Sequence, residues 1–165
     1  MKKILFASSV LIYCLLITVG SNAQTTDVPS DVQKAFDEHF KNATIVRWVP
    51  IQDSYMASFT QGQGFRDAYF TTEGEFKGVG RYISVDLLPV SAQEKINGDY
   101  SGYEVTQLYQ FDGTDNGIAF FAVLKNAKSE LTLKLDAVGD VTYSKRSKIK
   151  EGSKMSEPLA ANSKH

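Results

Sequence analysis

The apolar positions of this chain switch period three times between residues 29 and 144. Val32, Ala35, Phe36 and Phe40 recur at the three-to-four spacing that sets side chains on one face of a helix, and Pro29, Ser30 and Asp31 supply a start signal. Beyond them the period falls to two. Stretches 44–49, 55–60, 65–71 and 76–83 are rich in β-branched and aromatic residues, and the intervening Pro50, Asp53, Gly62, Gly64 and Glu73-Gly74-Glu75 are turn formers. Helical spacing returns with Ala92, Ile96 and Tyr100 after Pro89, where Ser91 is the predicted N-cap. Strand-like sequence then resumes at 104–111, 118–124, 131–135 and 141–144. In the third of these, Leu131, Leu133 and Leu135 alternate with Thr132, Lys134 and Asp136, which predicts one buried and one wet face. Segment 118–124 is apolar at both parities and reads as covered on both faces.

The two helical segments correspond at a constant offset of sixty: Pro29, Val32, Gln33, Phe36 and Phe40 match Pro89, Ala92, Gln93, Ile96 and Tyr100. Later, Gly74 matches Gly139 at an offset of sixty-five, and residues 112–117 are the natural place for the difference. Repeats at a fixed period usually mark units that cannot bury their apolar face alone. The expected fold is therefore α+β: a tandem duplication of a helix followed by a four-stranded antiparallel meander, repeats 29–88 and 89–146, with the helices packed on one face. Set side by side, the repeats would form a continuous or nearly continuous sheet whose other face is partly exposed.

Composition adds boundaries. Lys2 and Lys3 precede an apolar run over 4–19 and a small-residue exit at Ser21, Asn22 and Ala23, the pattern of a cleaved signal peptide over 1–23. The run is somewhat short for a membrane span of ~20 residues. Export to the periplasm or medium follows, with a short linker at 24–28. The single cysteine, Cys14, falls within that run, and Tyr13 before it argues against a lipidation site. The remainder has no disulfide or thiol chemistry. Residues 24–143 are net acidic, which denies nucleic acid the basic face it requires. Lys145, Arg146, Lys148, Lys150, Lys154 and Lys164, among small polar residues, predict a solvated basic tail, placed at 147–165 and disordered.

Candidate chemistry is sparse. Within the body His39 is the lone histidine, beside the apolar stripe of the first helix, and no Gly-x-Ser-x-Gly elbow provides a nucleophile. Asp112, Thr114, Asn116 and Gly117 imitate the start of a calcium loop, but Val123 stands where the bidentate Glu should be. Gly78 and Gly80 lack the helix and Lys of a phosphate cradle and read as a bulge or a close backbone approach. The carboxylate pairs Asp37/Glu38 and Glu73/Glu75 lie on a wet helix side and in a turn, without an apolar pocket to split their pKa values. No enzyme, cofactor or metal is expected. The surplus is aromatic: one Trp, eight Tyr and ten Phe. Trp48, Tyr55, Tyr69 and Tyr82 are the candidate partner contacts, because large amphipathic rings anchor interfaces at low entropic cost. The alignment that matches Gly74 to Gly139 sets Tyr69 against Lys134, on the wet face.

The Pro-initiated helix with Val and Phe at four-residue spacing, the Trp48 and Tyr55 strands and the Glu73–Glu75 hairpin resemble the PepSY-like domains of exported bacterial proteins. That group is similar to the β-lactamase-inhibitor protein, itself a tandem of two helix-plus-sheet repeats. The resemblance covers residues 27–146. It implies a periplasmic or secreted binding module without catalysis, in the manner of a peptidase or hydrolase inhibitor. The duplicated units and the missing catalytic groups lead to the expected role of a monomer that binds a protein or peptide of the cell envelope through its exposed sheet face. The alternative is a small-molecule or glycan site in the cleft between the repeats.

Overall fold

A computed structural model describes residues 27–149. Its elements run α1 (Ser30–His39), β1 (Thr44–Ile51), β2 (Ser54–Gln61), β3 (Gly64–Thr71), β4 (Phe76–Tyr82), a 3₁₀ turn (Val85–Leu87), α2 (Val90–Asp99), β5 (Glu104–Gly113), β6 (Gly117–Lys125), β7 (Ser129–Leu135) and β8 (Val141–Lys148). The expected signal peptide and most of the expected tail lie outside the described residues. The last strand, β8, takes in Lys145, Arg146 and Lys148, and Lys148 pairs with Ser129.

All eight strands form one antiparallel sheet in the order β1 to β8, each hydrogen-bonded to its chain neighbour. This overturns the expected tandem of a helix followed by a four-stranded meander. The molecule is mostly a single eight-stranded sheet, accompanied among the described residues by two ten-residue α-helices. The physical reason is that β4 does not end a unit. It pairs with β5 over five register positions, from Gly78↔Gly113 to Tyr82↔Tyr109, so its backbone groups are satisfied across the supposed boundary, as buried N–H and C=O groups must be. A shared apolar cluster crosses the same line, joining Ile51, Met56 and Tyr69 to Tyr109 and Phe121.

Both helices begin at a proline whose fixed φ presets the first turn and whose missing N–H costs nothing there. The carbonyl of Pro29 accepts from the N–H groups of Val32 and Gln33, and that of Pro89 from those of Ala92 and Gln93. Each helix is further tied down by a glutamine: Gln33 Nε2 donates to the Val28 carbonyl at 2.8 Å and Gln93 Nε2 to that of Leu88 at 2.9 Å. Ser91 is not the N-cap. Its hydroxyl donates instead to the Val138 carbonyl, in the turn between β7 and β8.

Register pairs share a face, so both helices lie on one side of the sheet. Over β2 and β3, Val32 and Phe36 pack on Ala57, Phe59, Ala68 and Phe70. Over β5 to β7, Ala92 and Ile96 pack on Leu108, Phe120, Ala122, Leu124, Leu131, Leu133 and Leu135. Hairpin tips wedge against the helix starts. A Cβ on Gly74, whose φ is +86°, would lie 2.7 Å from the Asp31 carbonyl oxygen, and one on Gly139, at φ +93°, 2.7 Å from the Ala92 nitrogen. No L side chain fits either place.

Candidate functional site

The face opposite the helices carries no covering element among the described residues, yet its centre is buried. Two glycines make this possible. In β4, Gly78 and Gly80 leave the sheet floor bare, and a Cβ on Gly80 would lie 2.3 Å from the ring of Tyr109, one on Gly78 2.5 Å from that of Phe111. The two β5 rings thus lie down over β4. A register shift opposite Tyr69 and Phe70 bends the strand at the same place, the usual companion of a bulge.

Beneath the rings runs a chain of hydrogen bonds. Arg47 Nε donates to Ser58 Oγ at 3.4 Å, and Ser58 Oγ donates to Asp67 Oδ1 at 2.6 Å. Tyr109 OH donates to Asp67 Oδ2 at 3.1 Å. Because the Tyr109 proton is so committed, the 3.0 Å contact between the two phenols makes Tyr69 OH the donor to Tyr109. Ser58, Asp67, Tyr69 and Tyr109 are all buried, and a network with every member satisfied rigidifies its surroundings. Burial pushes the Tyr109 phenol far above the ordinary tyrosine range, and the neighbouring Tyr69 and Asp67 raise it further. Around this floor the rings interlock edge to face: Tyr69 with Phe111 at 5.5 Å and Tyr82 with Tyr109 at 5.0 Å. Lys134 Nζ stands 5.9 Å above Phe121.

The predicted contacts divide between the two faces. Trp48 and Tyr55 point to the helix side and pack on the first core, with the Trp48 ring 5.6 Å from Phe36. Tyr69 and Tyr82 share the open face. Tyr69 is on the same side as Lys134, as the alignment has it, but only 6% exposed, whereas Tyr82 is 57% exposed. Phe65, 48% exposed, and Tyr143, 40% exposed, share that face and were not singled out by the sequence.

The remaining candidates have structural employment. His39 Nδ1 donates to the Ala35 carbonyl at 2.8 Å, and its ring packs 4.6 Å from Phe76. Asp112 lies within β5, paired with Val79 and Ile118, and Thr114 donates its N–H to the Lys77 carbonyl in the following turn. Glu75 pairs with Lys77 at 2.9 Å. The Glu73 carboxyl is held below its ordinary range by the Thr72 hydroxyl. Among the described residues no helix is long and apolar enough to cross a membrane, and no group of three or more His, Cys, Asp or Glu is placed to hold a metal ion.

The eight-stranded sheet backed on one side by two helices is a BLIP-like fold. A BLIP-like protein from Bacteroides fragilis superposes with a TM-score of 0.63 at 14% identity, covering 76% of this chain and 91% of that one. A DUF2874 family protein from Bacteroides uniformis gives a TM-score of 0.66 at 16% identity, covering 72% and 88%. A protein from Bacteroides eggerthii whose name provisionally assigns it to the periplasm gives 0.66 at 15% identity, with coverage of 72% and 88%. No protein-family profile and no curated protein matches the chain.

Proposed function

We propose that this chain is an exported, non-enzymatic binding module that seats a protein or peptide on the open face of its sheet, in an inhibitor-like manner. The observation that supports the reading is the preorganised aromatic floor: Tyr82 and Phe65 stand exposed beside rings whose positions are fixed by the Asp67 network. Rings already held in place lose little entropy on binding, and rigid aromatics are the residue type that carries interface energy. The BLIP-like neighbours point the same way, and the one with a periplasmic name accords with export of this chain. The kinship with PepSY-like domains belongs to the same proposal.

A non-enzymatic role is supported by the way the polar groups are spent. Ser58, the one serine hydroxyl bonded to a buried carboxylate among the side-chain bonds of the described residues, is fully buried, donates its hydrogen bond to Asp67 and has no imidazole beside it. A nucleophile needs both a base and access to substrate. Affinity capture from cell-envelope extract with wild type and a Tyr82→Ser, Phe65→Ser double variant tests the reading. Wild type should retain a partner that the double variant loses, and the isolated partner should bind wild type at least ten times more tightly, the loss of about 1.4 kcal/mol that removing one good anchor brings. Equal recovery of every protein by both would overturn it.

A further inference from the structure

Among the described residues, the helix side of the sheet has its own uncovered strip, at the seam between the two helix-covered cores. There the register places polar residues in adjoining strands. Gly80 pairs with Asp67, so Arg66 and Arg81 face each other one step along, and Arg81 pairs in turn with Gln110. Phe59 and Phe120 flank the row, through their pairings with Arg66 and Gln110. A groove of about 250 Å³ opens here, lined by Arg66, Val79, Gly80, Arg81, Gln110 and Asp112.

Like charges directly across a strand pair are destabilising. Among the described residues neither guanidinium has a carboxylate within 4.0 Å: the ion pairs there are all made by lysines. Arg81 Nη2 donates to Gln110 Oε1 at 3.4 Å, which leaves the Gln110 amide N–H groups as further donors. The seam therefore concentrates two planar forks and an amide, donors that match a carboxylate bidentately. Asp112, one row along beside Val79, offsets one of the two guanidinium charges, so the lining carries one net positive charge and suits a single carboxylate. Its volume is below the ~300–1,000 Å³ of drug-sized sites and suits a short acidic group.

We infer that this seam is a carboxylate-binding site, held by Arg66, Arg81 and Gln110, on the opposite side of the sheet from the proposed protein-binding face. The carboxylate has two sources, a small free acid or a glutamate side chain of a polypeptide. Titration of the full chain, followed by amide chemical shifts, distinguishes them. The probes are butyrate, its neutral isostere butyramide, and a short blocked peptide containing one Glu. Butyrate should move the amides of residues 66, 79–81 and 110 while butyramide leaves them still. Tighter binding of the peptide than of butyrate assigns the side-chain source, and equal or weaker binding the free acid. Arg66→Gln and Arg81→Gln should each weaken butyrate about tenfold, the cost of one charged hydrogen-bonding group. Both variants should unfold at the same or higher temperature than wild type, since each removes one of two like charges lining the same groove, whereas Tyr82→Ser should leave butyrate binding unchanged. Equal shifts with butyrate and butyramide, no shifts with either acid, or unchanged affinity in both arginine variants would overturn the assignment.

Discussion

Asp67 is the residue on which the open face turns. Its two oxygens accept hydrogen bonds from the hydroxyls of Ser58 and Tyr109, so the network is built around two acceptors. Asp67→Asn replaces one acceptor with a donor that faces a hydroxyl, and a buried group left unsatisfied costs about 1–3 kcal/mol. Urea denaturation should show that loss, with near-ultraviolet circular dichroism reporting looser tyrosines. The phenol of Tyr109 gives a pH dependence of definite sign. Its folded-state pKa is raised above that of the unfolded chain, so its contribution to stability is fully present below the unfolded value of about 10 and is lost as pH rises beyond it. Urea midpoints between pH 9 and 11 should therefore fall more steeply for wild type than for Tyr109→Phe. Equal slopes would place the phenol in contact with solvent.

At the scale of elements, the hairpin glycines make the sharper test. Gly74 closes the β3–β4 hairpin in the left-handed region while pressed on the first turn of α1. Gly74→Ala meets both backbone strain and overlap with a carbonyl, and overpacking alone costs about 1–3 kcal/mol. Thermal melts should show a clear drop, whereas Gly62→Ala, also at positive φ but with open space around it, should lose less. Gly62 and Gly74 look alike in the sequence; only the docked helix separates them. The helices and strands themselves were legible, because period and punctuation are local: the alternation at Leu131, Leu133 and Leu135 places β7 to within two residues of its start. Ser91 was misread because its turn partner, Val138, is 47 positions away. The Ser58–Asp67–Tyr109 network escaped for the same reason, its members being ordinary strand residues until pairing brings them together. Tyr69 shows both sides: the alignment gave its face, but only the rings laid across Gly78 and Gly80 could reveal its burial.

For the whole molecule, continuity of the sheet is the property that matters most. Sequence correspondence suggested two units, yet hydrogen bonds between β4 and β5 and an aromatic cluster spanning both sides bind them into one. A single cooperative transition follows. Trp48, the only tryptophan, reports on the N-terminal half, so its fluorescence and far-ultraviolet circular dichroism should give coincident urea curves. Leu133→Ala lies at the far end, fully buried, and should lower the Trp48 midpoint by the equivalent of about 2–5 kcal/mol. A Trp48 transition indifferent to that substitution would restore two independent modules.

Strand order equal to chain order also bears on how the molecule comes into being. Every strand pairs with the one made just before it, so no pairing waits for a distant segment, and the loops to be closed are short except at the α2 crossover. Loop closure sets the pace for sheet proteins, and here its cost is paid in small instalments. A chain emerging amino end first can zip its sheet strand by strand, each new hairpin covering the edge left by the last, until β8 closes the series with Lys145, Arg146 and Lys148, charges that discourage a further strand from joining.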